Sequence, residues 1–387
     1  MTRAPRSLSF GLAVLFAAAP ALAQQNHAPP AMTSPAGQRL VAQPVASGLQ
    51  NPWGLAFIGE GRMLVSERPG RMRVVEADGK LGPPLQGLPA VEAAGQGGLL
   101  DVIADRDFAR NRLVHFCYSE PGRGGNSTAM ATARLSDDRR SLEQLRVVFS
   151  QQPKVASRLH FGCRIVQTPQ GGQDSAFFLT LGDRYQRMQD AQTLDNHHGK
   201  VVRLRADGSA HPQNPFVARA GALPQIWSLG HRNIQGAALG PDGALWTIEH
   251  GPQGGDELNR TEAGKNYGWP LITYGENYGG GRIGAGLTER EGLEQPLTHW
   301  VPSIAPSGLA FLRSERYGRD WQGNAFTGSL KFRHLSRLVL QDGRVVGEER
   351  LLKDLGQRIR DVREGPDGWL YVLTDDSEGQ LLRLVPR

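Results

Sequence analysis

Cysteine is scarce in this 387-residue sequence, which contains only Cys117 and Cys163. The two residues are too far apart to form a C-x-x-C redox motif or half of a zinc-ligand cluster. Each cysteine lies in an apolar run that reads as a β-strand. A disulfide and two buried free thiols therefore both remain open, and a disulfide would require export to an oxidising compartment.

Several further absences narrow the class of protein. Long apolar stretches with a 3.6-residue period are missing, which disfavours a helical protein. After the N-terminus no apolar run reaches the ~20 residues that a membrane-spanning helix needs, so stable membrane insertion is not expected. The net charge of +6 comes from dispersed residues, which argues against nucleic-acid binding. P-loop, G-x-S-x-G and H-E-x-x-H motifs are absent from the sequence.

The N-terminus has the pattern of a secretory signal. Arg3 and Arg6 precede an apolar run from Leu8 to Leu22, and Ala21-Leu22-Ala23 supplies a small-residue cleavage site. A membrane anchor is the alternative, but the run is short for one. We predict a signal peptide at residues 1–23, a flexible leader at 24–37, one domain at 38–387, and a periplasmic or secreted location.

Asp-Gly turns recur along the chain and are typical of antiparallel strand pairs. They occur within a phrase in which an apolar strand, a turn, a second apolar strand and a polar residue follow one another. Six copies of this phrase predict an all-β fold, a six-bladed β-propeller with four-stranded antiparallel blades. The last unit is one strand short, and Leu40–Val45 could supply that strand. A tandem of β-sandwiches explains the strands but not the sixfold phrase. The longest predicted loops are 184–198 and 251–298.

A histidine and an aspartate flank the third unit. His160 precedes its first strand and Asp183 follows its second, so antiparallel pairing would bring the two side chains together. A histidine near neutral pH is the commonest general base, and a carboxylate would orient it. A lone histidine without this function is the competing interpretation.

Other polar phrases have weaker signals. Arg232 and Asn233 precede an apolar strand, and an irregular Gly/Pro-rich segment around Gly251 could present carbonyl oxygens to Ca²⁺. Arg358 and Arg360 alternate along one strand face. Two cations on one side would repel each other unless an anion lay between them, whereas a solvated face would need no such partner.

Taken in order, these phrases resemble the soluble PQQ-dependent glucose/aldose sugar dehydrogenase family (the glucose/sorbosone dehydrogenase group; PQQ is pyrroloquinoline quinone). The match covers nearly all of the chain after the leader. The phrases that carry it are Asn51–Phe57, Gly95–Gly98, His160–Arg164, Leu181–Asp183, Gly199–Leu204, Gly230–Gly236, His250–Pro252, Glu257, Asn266–Pro270, Lys331 and Arg358–Val362.

The resemblance implies an enzyme that oxidises the C1 hydroxyl of aldose sugars to lactones and passes electrons to an external acceptor. PQQ and Ca²⁺ are the implied cofactors. The implied catalytic residues are His160 as base, Asp183 as its orienting partner and Arg232 as the cation beside the quinone oxygens. The implied cofactor-binding residues are Gln96, Arg232, Asn233, Lys331, Arg358 and Arg360. The implied Ca²⁺ ligands are the carbonyls of Gly251 and Pro252 at one site, and Glu257 with the Tyr267 carbonyl at a second.

The sequence departs from the family pattern at two residues and in the loops after Asp183 and after Pro270. Leu159 stands where the best-known glucose dehydrogenases have an aspartate that helps to hold the sugar, and His250 stands where they have glutamine. The chain is thus more similar to the broad-specificity aldose dehydrogenases, which implies a monomer with an open sugar site. The alternatives are a Ca²⁺-dependent lactonase or esterase on the same fold and a non-catalytic binding propeller.

Overall fold

A computed structural model describes residue 1, residues 40–169 and residues 176–387. Apart from Met1, the predicted signal peptide (1–23) and leader (24–37) lie outside the described residues, as do the first two residues of the predicted domain (38–387).

Within the described ranges, 24 strands form six antiparallel sheets of four strands each. This confirms the predicted six-bladed propeller. Blade 1 contains β2 (Pro52–Phe57), β3 (Met63–Glu67), β4 (Arg71–Val75) and β5 (Leu81–Pro84). Blade 2 contains β6 (Leu99–Ala104), β7 (Leu113–Gly122), β8 (Gly125–Leu135) and β9 (Leu142–Ser150). Blade 3 contains β10 (Gly162–Gln167), β11 (Ala176–Leu181), β12 (Lys200–Arg205) and β13 (Ile226–Leu229).

The second half of the ring repeats this plan. Blade 4 contains β14 (Ile234–Leu239), β15 (Leu245–Glu249), β16 (Asp256–Thr261) and β17 (Thr298–Trp300). Blade 5 contains β18 (Pro306–Phe311), β19 (Ala325–Ser329), β20 (Leu335–Gln341) and β21 (Arg344–Leu351). Blade 6 contains β22 (Ile359–Glu364), β23 (Leu370–Thr374), β24 (Gly379–Pro386) and β1 (Leu40–Leu49).

The ring closes through its first strand. β1 pairs antiparallel with β24, from Leu40 opposite Pro386 to Leu49 opposite Gly379. The predicted closing strand is therefore confirmed and extends to Leu49. Because this pairing covers the edge that blade 6 would otherwise expose, it joins the two ends of the domain.

Short helical turns connect some of the strands. One turn of α-helix, α1, spans Phe108–Asn111. Three short 3₁₀ segments span Met188–Gln192, Arg319–Trp321 and Lys353–Leu355. None of the helices in the described ranges has the length and apolarity to cross a membrane.

The inner strands β2, β6, β10, β14, β18 and β22 contact one another around the central axis. Glycine allows the close approach: Gly308 has a φ of +73°, and a Cβ there would lie 2.7 Å from the Val362 nitrogen of the next blade. Among these inner strands, Arg164 Nη1 on β10 lies 3.0 Å from Asp361 and 3.3 Å from Asp101. These buried ion pairs join inner strands of three blades across the axis.

The structure resolves the cysteine alternatives in favour of a disulfide. Cys117 on β7 and Cys163 on β10 are bonded, with their Cα atoms 5.9 Å apart, and both are fully buried. The bond links blade 2 to blade 3, three residues after His160.

One loop prediction was wrong in extent. The predicted loop 251–298 contains strand β16 and so runs only from 262 to 297. The polar sequence of β16 hid the strand, although Asp256, Leu258 and Asn259 are buried between β15 and β17.

Candidate active site

The predicted site residues lie at one end of the blades. In each blade the inner strand begins, and the second strand ends, at the same edge of the sheet, because the two strands are antiparallel. His160, Arg232 and Arg358 stand just before inner strands. Asp183 and Gly251 stand just after second strands. Ring geometry then collects these residues around one funnel although they are far apart in sequence.

His160 and Asp183 form a buried pair, as predicted. The β10–β11 register places Gly162 opposite Leu181, and His160 Nδ1 lies 2.7 Å from Asp183 Oδ1. The other carboxylate oxygen of Asp183 accepts a hydrogen bond of 2.7 Å from the Trp269 indole nitrogen. Because Nδ1 is bonded to the carboxylate, Nε2 is the imidazole nitrogen that remains for a substrate proton.

The surroundings keep this imidazole neutral. Burial, together with the positive charge of Arg232, lowers the pKa of His160 despite the opposing effect of Asp183. Burial has the largest single effect on Asp183 and would raise its pKa. The hydrogen bond to His160, the positive charge of Arg232 and the Tyr185 N–H together outweigh burial, so the net shift of the pKa is downward. The pair thus consists of an ionised carboxylate and a neutral base.

Arg232 is buried beside the pair. Its Nη1 donates hydrogen bonds to the carbonyls of His250 (3.0 Å) and Gly251 (2.7 Å), and its guanidinium lies 5.2 Å from the centre of the Trp269 ring. Its backbone N–H donates to Glu249 Oε2 at 2.6 Å. The buried Arg232 Nε makes no hydrogen bond within the described residues, so a donor remains for an anionic group.

A cavity of about 610 Å³ lies next to these residues. Its wall includes Phe161 and Gly162, which follow the base, and five cationic side chains with a single carboxylate, Asp375. The cations are Arg68, Lys331, Arg333, Arg358 and Arg360. A cavity with such an excess of positive charge suits a ligand with several carboxylates.

Arg358 and Arg360 face the same cavity, and a carboxylate lies between them. Asp375 Oδ2 is 2.8 Å from Nη2 of each arginine. The protein itself therefore supplies part of the negative charge that two arginines on one strand face require. One carboxylate cannot neutralise two guanidinium groups, and the buried Arg360 Nε lacks a partner in the described part of the chain.

Gln96 and Asn233 line the cavity with their amides. Gln96 Oε1 accepts the backbone N–H of His160 at 2.8 Å, and Asn233 Oδ1 accepts that of Gly162 at 3.2 Å. Both amides thereby hold the segment that carries the base. Their NH₂ groups make no hydrogen bond to other described residues, which leaves them as donors for a ligand.

The turn after β15 presents carbonyl oxygens to positive charge. Asp256 fixes this turn by accepting the Gly251 N–H at 2.9 Å and the Ile304 N–H at 2.7 Å. His250 Nε2 lies 2.8 Å from the Pro306 carbonyl, and burial lowers its pKa to about 3. Arg232 Nη1 donates a hydrogen bond to the same Gly251 carbonyl.

Glu257 lies on β16 of blade 4, and Tyr267 lies in the loop that follows β16. Glu257 pairs across the strands with Glu249, and burial together with that second carboxylate raises its pKa. Glu249 bonds His231, whose ring stacks on Tyr267 at 4.8 Å. The buried Asn259 Oδ1 has no hydrogen-bond partner within the described ranges, and Asn259 Nδ2 is 3.2 Å from Glu257. Carboxylate and amide oxygens are ligand types that Ca²⁺ takes in proteins.

Three contributors to the site were not singled out from the sequence. Asp375 follows β23 as Asp183 follows β11, so the same hairpin argument could have found it. Trp269 lies in a quoted phrase, but nothing in sequence spacing predicts its hydrogen bond to Asp183. Arg68, just after β3, had no signal beyond its charge.

The geometry agrees with what comparisons with known proteins find. The model of the glucose/sorbosone dehydrogenase family matches residues 49–383. The aldose sugar dehydrogenase YliI of Escherichia coli is 46% identical over 343 residues, which cover 88% of this chain and 91% of that protein.

Two solved structures are similar along their whole length. The soluble aldose sugar dehydrogenase of Escherichia coli in its apo form is 44% identical, with a TM-score of 0.85 over 90% of this chain and 100% of that one. The PQQ-bound aldose sugar dehydrogenase of Streptomyces coelicolor is 27% identical, with a TM-score of 0.74 over 93% and 100% of the two chains.

Proposed function

Because this chain belongs to the glucose/sorbosone dehydrogenase family, we propose that it oxidises the C1 hydroxyl of aldose sugars to lactones with PQQ and Ca²⁺ as cofactors. The reaction takes place in the periplasm or outside the cell, and an external acceptor receives the electrons. The observation that carries this proposal is the neutral His160–Asp183 pair next to Phe161 and Gly162, which line a cationic cavity of about 610 Å³.

The residues present fit PQQ. Lys331, Arg358 and Arg360 offer positive charge to its carboxylates, and Gln96 and Asn233 offer free amide donors. The unpartnered Nε atoms of Arg232 and Arg360 support the same assignment. When bound, PQQ supplies the two-electron acceptor for the hydride that leaves C1 of the sugar.

The protein residues manage the proton and the charge. His160 Nε2 takes the proton of the C1 hydroxyl, and Asp183 holds the ring and stabilises the imidazolium that results. Arg232 provides a fixed positive charge beside the base, where negative charge develops during oxidation. Because Trp269, Asp183 and His160 are linked and buried, the base does not have to be reoriented in each turnover.

We assign Ca²⁺ to two sites in blade 4. The carbonyls of Gly251 and Pro252 would hold one ion, which at that position would act as a Lewis acid. The bond from Arg232 to Gly251 means that the arginine must share or release that carbonyl. Glu257, with the Tyr267 carbonyl, would hold a second and structural ion, which the unpartnered Asn259 oxygen supports.

The lactonase and esterase alternative is less well supported. Such an enzyme needs side-chain carboxylates and asparagines that converge on a metal. The described residues contain no cluster of three or more His, Cys, Asp or Glu side chains with that arrangement. Nor would a lactonase need the cations Lys331, Arg358 and Arg360 around one cavity.

The test is dye reduction by the purified protein. Chelator-stripped protein receives PQQ and Ca²⁺ separately and together, and dichlorophenolindophenol reduction is followed with a panel of aldoses. We expect activity that requires PQQ and an aldose and increases with Ca²⁺. His160→Ala should abolish it. His115→Ala is a matched control, because His115 forms a buried pair of 3.0 Å with Asp105 outside the site. Lactone hydrolysis without PQQ would instead support the alternative.

A further inference from the structure

The indole that bonds Asp183 comes from a long loop of blade 4. Trp269 lies in the loop 262–297, it is buried, and its Nε1 donates to Asp183 Oδ2 at 2.7 Å. Its ring packs with three residues, which are Ala191, Ile283 and the partly buried Met188. Two of the three belong to the 3₁₀ segment Met188–Gln192. A segment of blade 3 therefore positions a side chain of the blade 4 loop.

Gln192, the last residue of that segment, bonds the backbone of Trp269. Its Nε2 donates to the Trp269 carbonyl at 2.7 Å and to Asn266 Oδ1 at 3.1 Å. Its Oε1 accepts a hydrogen bond from Asn266 Nδ2 at 2.8 Å. Asn266 Oδ1 also accepts the Gly268 N–H at 3.0 Å. Because these bonds join both ends of the turn 266–269, they set the direction in which the indole leaves the backbone.

Gly230 joins the same two segments through the backbone. Its N–H donates to the Ala191 carbonyl at 3.0 Å, and its carbonyl accepts the Trp269 N–H at 2.9 Å. Gly230 has a φ of +78°, and a Cβ there would lie 2.2 Å from Asn266 Oδ1. A side chain at this position would therefore displace the Asn266 amide that Gln192 binds.

A buried cation fixes the segment that carries Gln192. Lys200 is fully buried, and its Nζ donates to the carbonyls of Asp190 and His198, each at 2.7 Å. Lys200 begins β12 and pairs with Leu181 on β11, the strand that leads to Asp183. The same strand pair therefore places Asp183 and supports the segment that holds its indole partner.

We propose that Gln192 is a positioning residue for the base. It holds Trp269 so that the indole N–H stays on Asp183, and Asp183 in turn holds His160 with Nε2 directed to the substrate. The inference rests on the proposed function for the role of His160. Gln192 acts through Trp269 and Asp183 and is not itself a catalytic residue.

The indole bond also affects the basicity of His160. A hydrogen bond donated to a carboxylate stabilises its charge, so Asp183 supports a positive charge on His160 less than a free carboxylate would. Loss of the indole bond should therefore raise the pKa of His160 and move the acid limb of kcat/KM to higher pH. Substitution of Gln192 leaves the other charged or titratable groups near the imidazole unchanged, which are Arg232, Arg184, His250 and Tyr185.

The kinetic test uses Gln192→Met, which keeps the length of the side chain and removes its amide. In the PQQ- and Ca²⁺-loaded enzyme we expect kcat to fall about tenfold, because the base is misplaced, with the KM for the sugar within about twofold of wild type. The acid limb should rise by roughly 0.5 pH unit. Trp269→Phe, which deletes the indole N–H, should shift the limb in the same direction and by at least as much.

Gln322→Met is the matched control. Gln322 follows the 3₁₀ segment Arg319–Trp321 in blade 5, and its Nε2 donates to the Arg313 carbonyl at 2.7 Å. It should leave kcat and the acid limb unchanged. If Gln192→Met lowers only the active fraction, with kcat per active site and the acid limb as in wild type, Gln192 has a structural role alone and the proposal is wrong.

NMR of the cofactor-free protein separates this proposal from the proposed function. The sequence has seven tryptophans, and Trp269→Phe identifies the indole N–H signal of Trp269. In Gln192→Met we expect this signal to move upfield and its hydrogen exchange to accelerate about tenfold or more, because the indole leaves Asp183 more often. An unchanged signal and exchange rate would refute the proposal even in an active enzyme.

The same spectra decide the matter if no sugar is oxidised, since the proposed function then fails while the indole bond can still be measured. Gln192→Glu serves if Gln192→Met does not fold. It keeps the acceptor for Asn266 Nδ2 and loses the donor to the Trp269 carbonyl. It should give the same change in the indole signal, and the wild-type signal in this variant would equally refute the role of Gln192.

Discussion

Replacing Asp375 with asparagine removes the one carboxylate that lines the cationic cavity in the described residues, while it preserves side-chain shape. Asp375 Oδ2 lies 2.8 Å from both Arg358 and Arg360. The Asp375 and Arg360 side chains are 9% and 10% exposed, and that of Arg358 is 44% exposed. Burial opposes ionisation of Asp375, but the two arginines prevail and lower its pKa, so the carboxylate is charged at pH 7.

The size of the effect follows from these exposures. Breaking a buried ion pair by removal of one partner costs about 3–5 kcal/mol, because a charge remains buried without compensation. The half-exposed Arg358 adds at most ~1 kcal/mol, since solvent screens it. We therefore expect Asp375→Asn to destabilise the cofactor-free protein by about 3 kcal/mol. For a domain of roughly 350 residues this lowers Tm by about 4 °C.

Cofactor affinity should change in the opposite direction. Asp375 competes with the carboxylates of PQQ for the same two arginines, so its loss increases the attraction for PQQ. If the cofactor replaces the lost charge completely, the ~3 kcal/mol reappears as binding free energy and Kd falls by up to about 100-fold. Differential scanning calorimetry with and without PQQ, combined with a fluorescence titration, measures both effects.

The neighbouring Asp376→Asn is the control, because Asp376 is exposed and bonds neither arginine. It makes the same change in charge one residue further along the chain. Weaker PQQ binding by Asp375→Asn than by wild type, or an unchanged Tm of its cofactor-free form, would refute the reasoning.

Three other predictions concern the base, the disulfide and the buried carboxylate. His160 acts when neutral, and Asp183 raises the pKa of His160. Asp183→Asn should therefore shift the acid limb of the pH profile of kcat/KM to lower pH and also reduce kcat. A shift of that limb to higher pH would contradict this reasoning. Replacing Cys117 and Cys163 with alanine should cost about 4 kcal/mol for a closed loop of 46 residues, measured by guanidinium unfolding; no loss would exclude a stabilising bond. Ca²⁺ should raise the Tm of the wild-type protein more than it raises the Tm of Glu257→Gln. Equal increases of Tm in calorimetry would show that Glu257 does not bind Ca²⁺.

The sequence was sufficient to predict the fold because the same hairpin phrase recurs in every blade. Each copy presents an apolar pair of strands with a turn between them, and sheets of this kind need neighbours to cover their faces. The His160–Asp183 pair followed from the same logic, since antiparallel pairing fixes what lies opposite the start of a strand. Asp375 obeys the identical rule beside Arg358 and could have been predicted with it.

What spacing could not predict was long-range contact between loops and blades. The Trp269 indole reaches Asp183 from a loop in blade 4, and Arg232 bonds the Gly251 carbonyl expected to bind Ca²⁺. Both depend on where the blade 4 loop folds back, which hydrophobic periodicity does not encode. The disulfide was undecidable for a similar reason, because Cys117 and Cys163 become neighbours only once the blades pack.

Contacts with the neighbouring blades hold the strained segment that carries the base. His160, Gly162 and Cys163 have φ values of +49°, +68° and +79°, and the two non-glycine residues each cost about 1–3 kcal/mol in this region. Each of these three residues has a partner in another blade: Gln96 accepts the His160 N–H, Asn233 accepts the Gly162 N–H, and Cys117 is bonded to Cys163. Blades 2 and 4 thus hold the base of blade 3 from both sides. Since Gln96 and Asn233 also line the cavity, a ligand bound there contacts the groups that hold His160 in position.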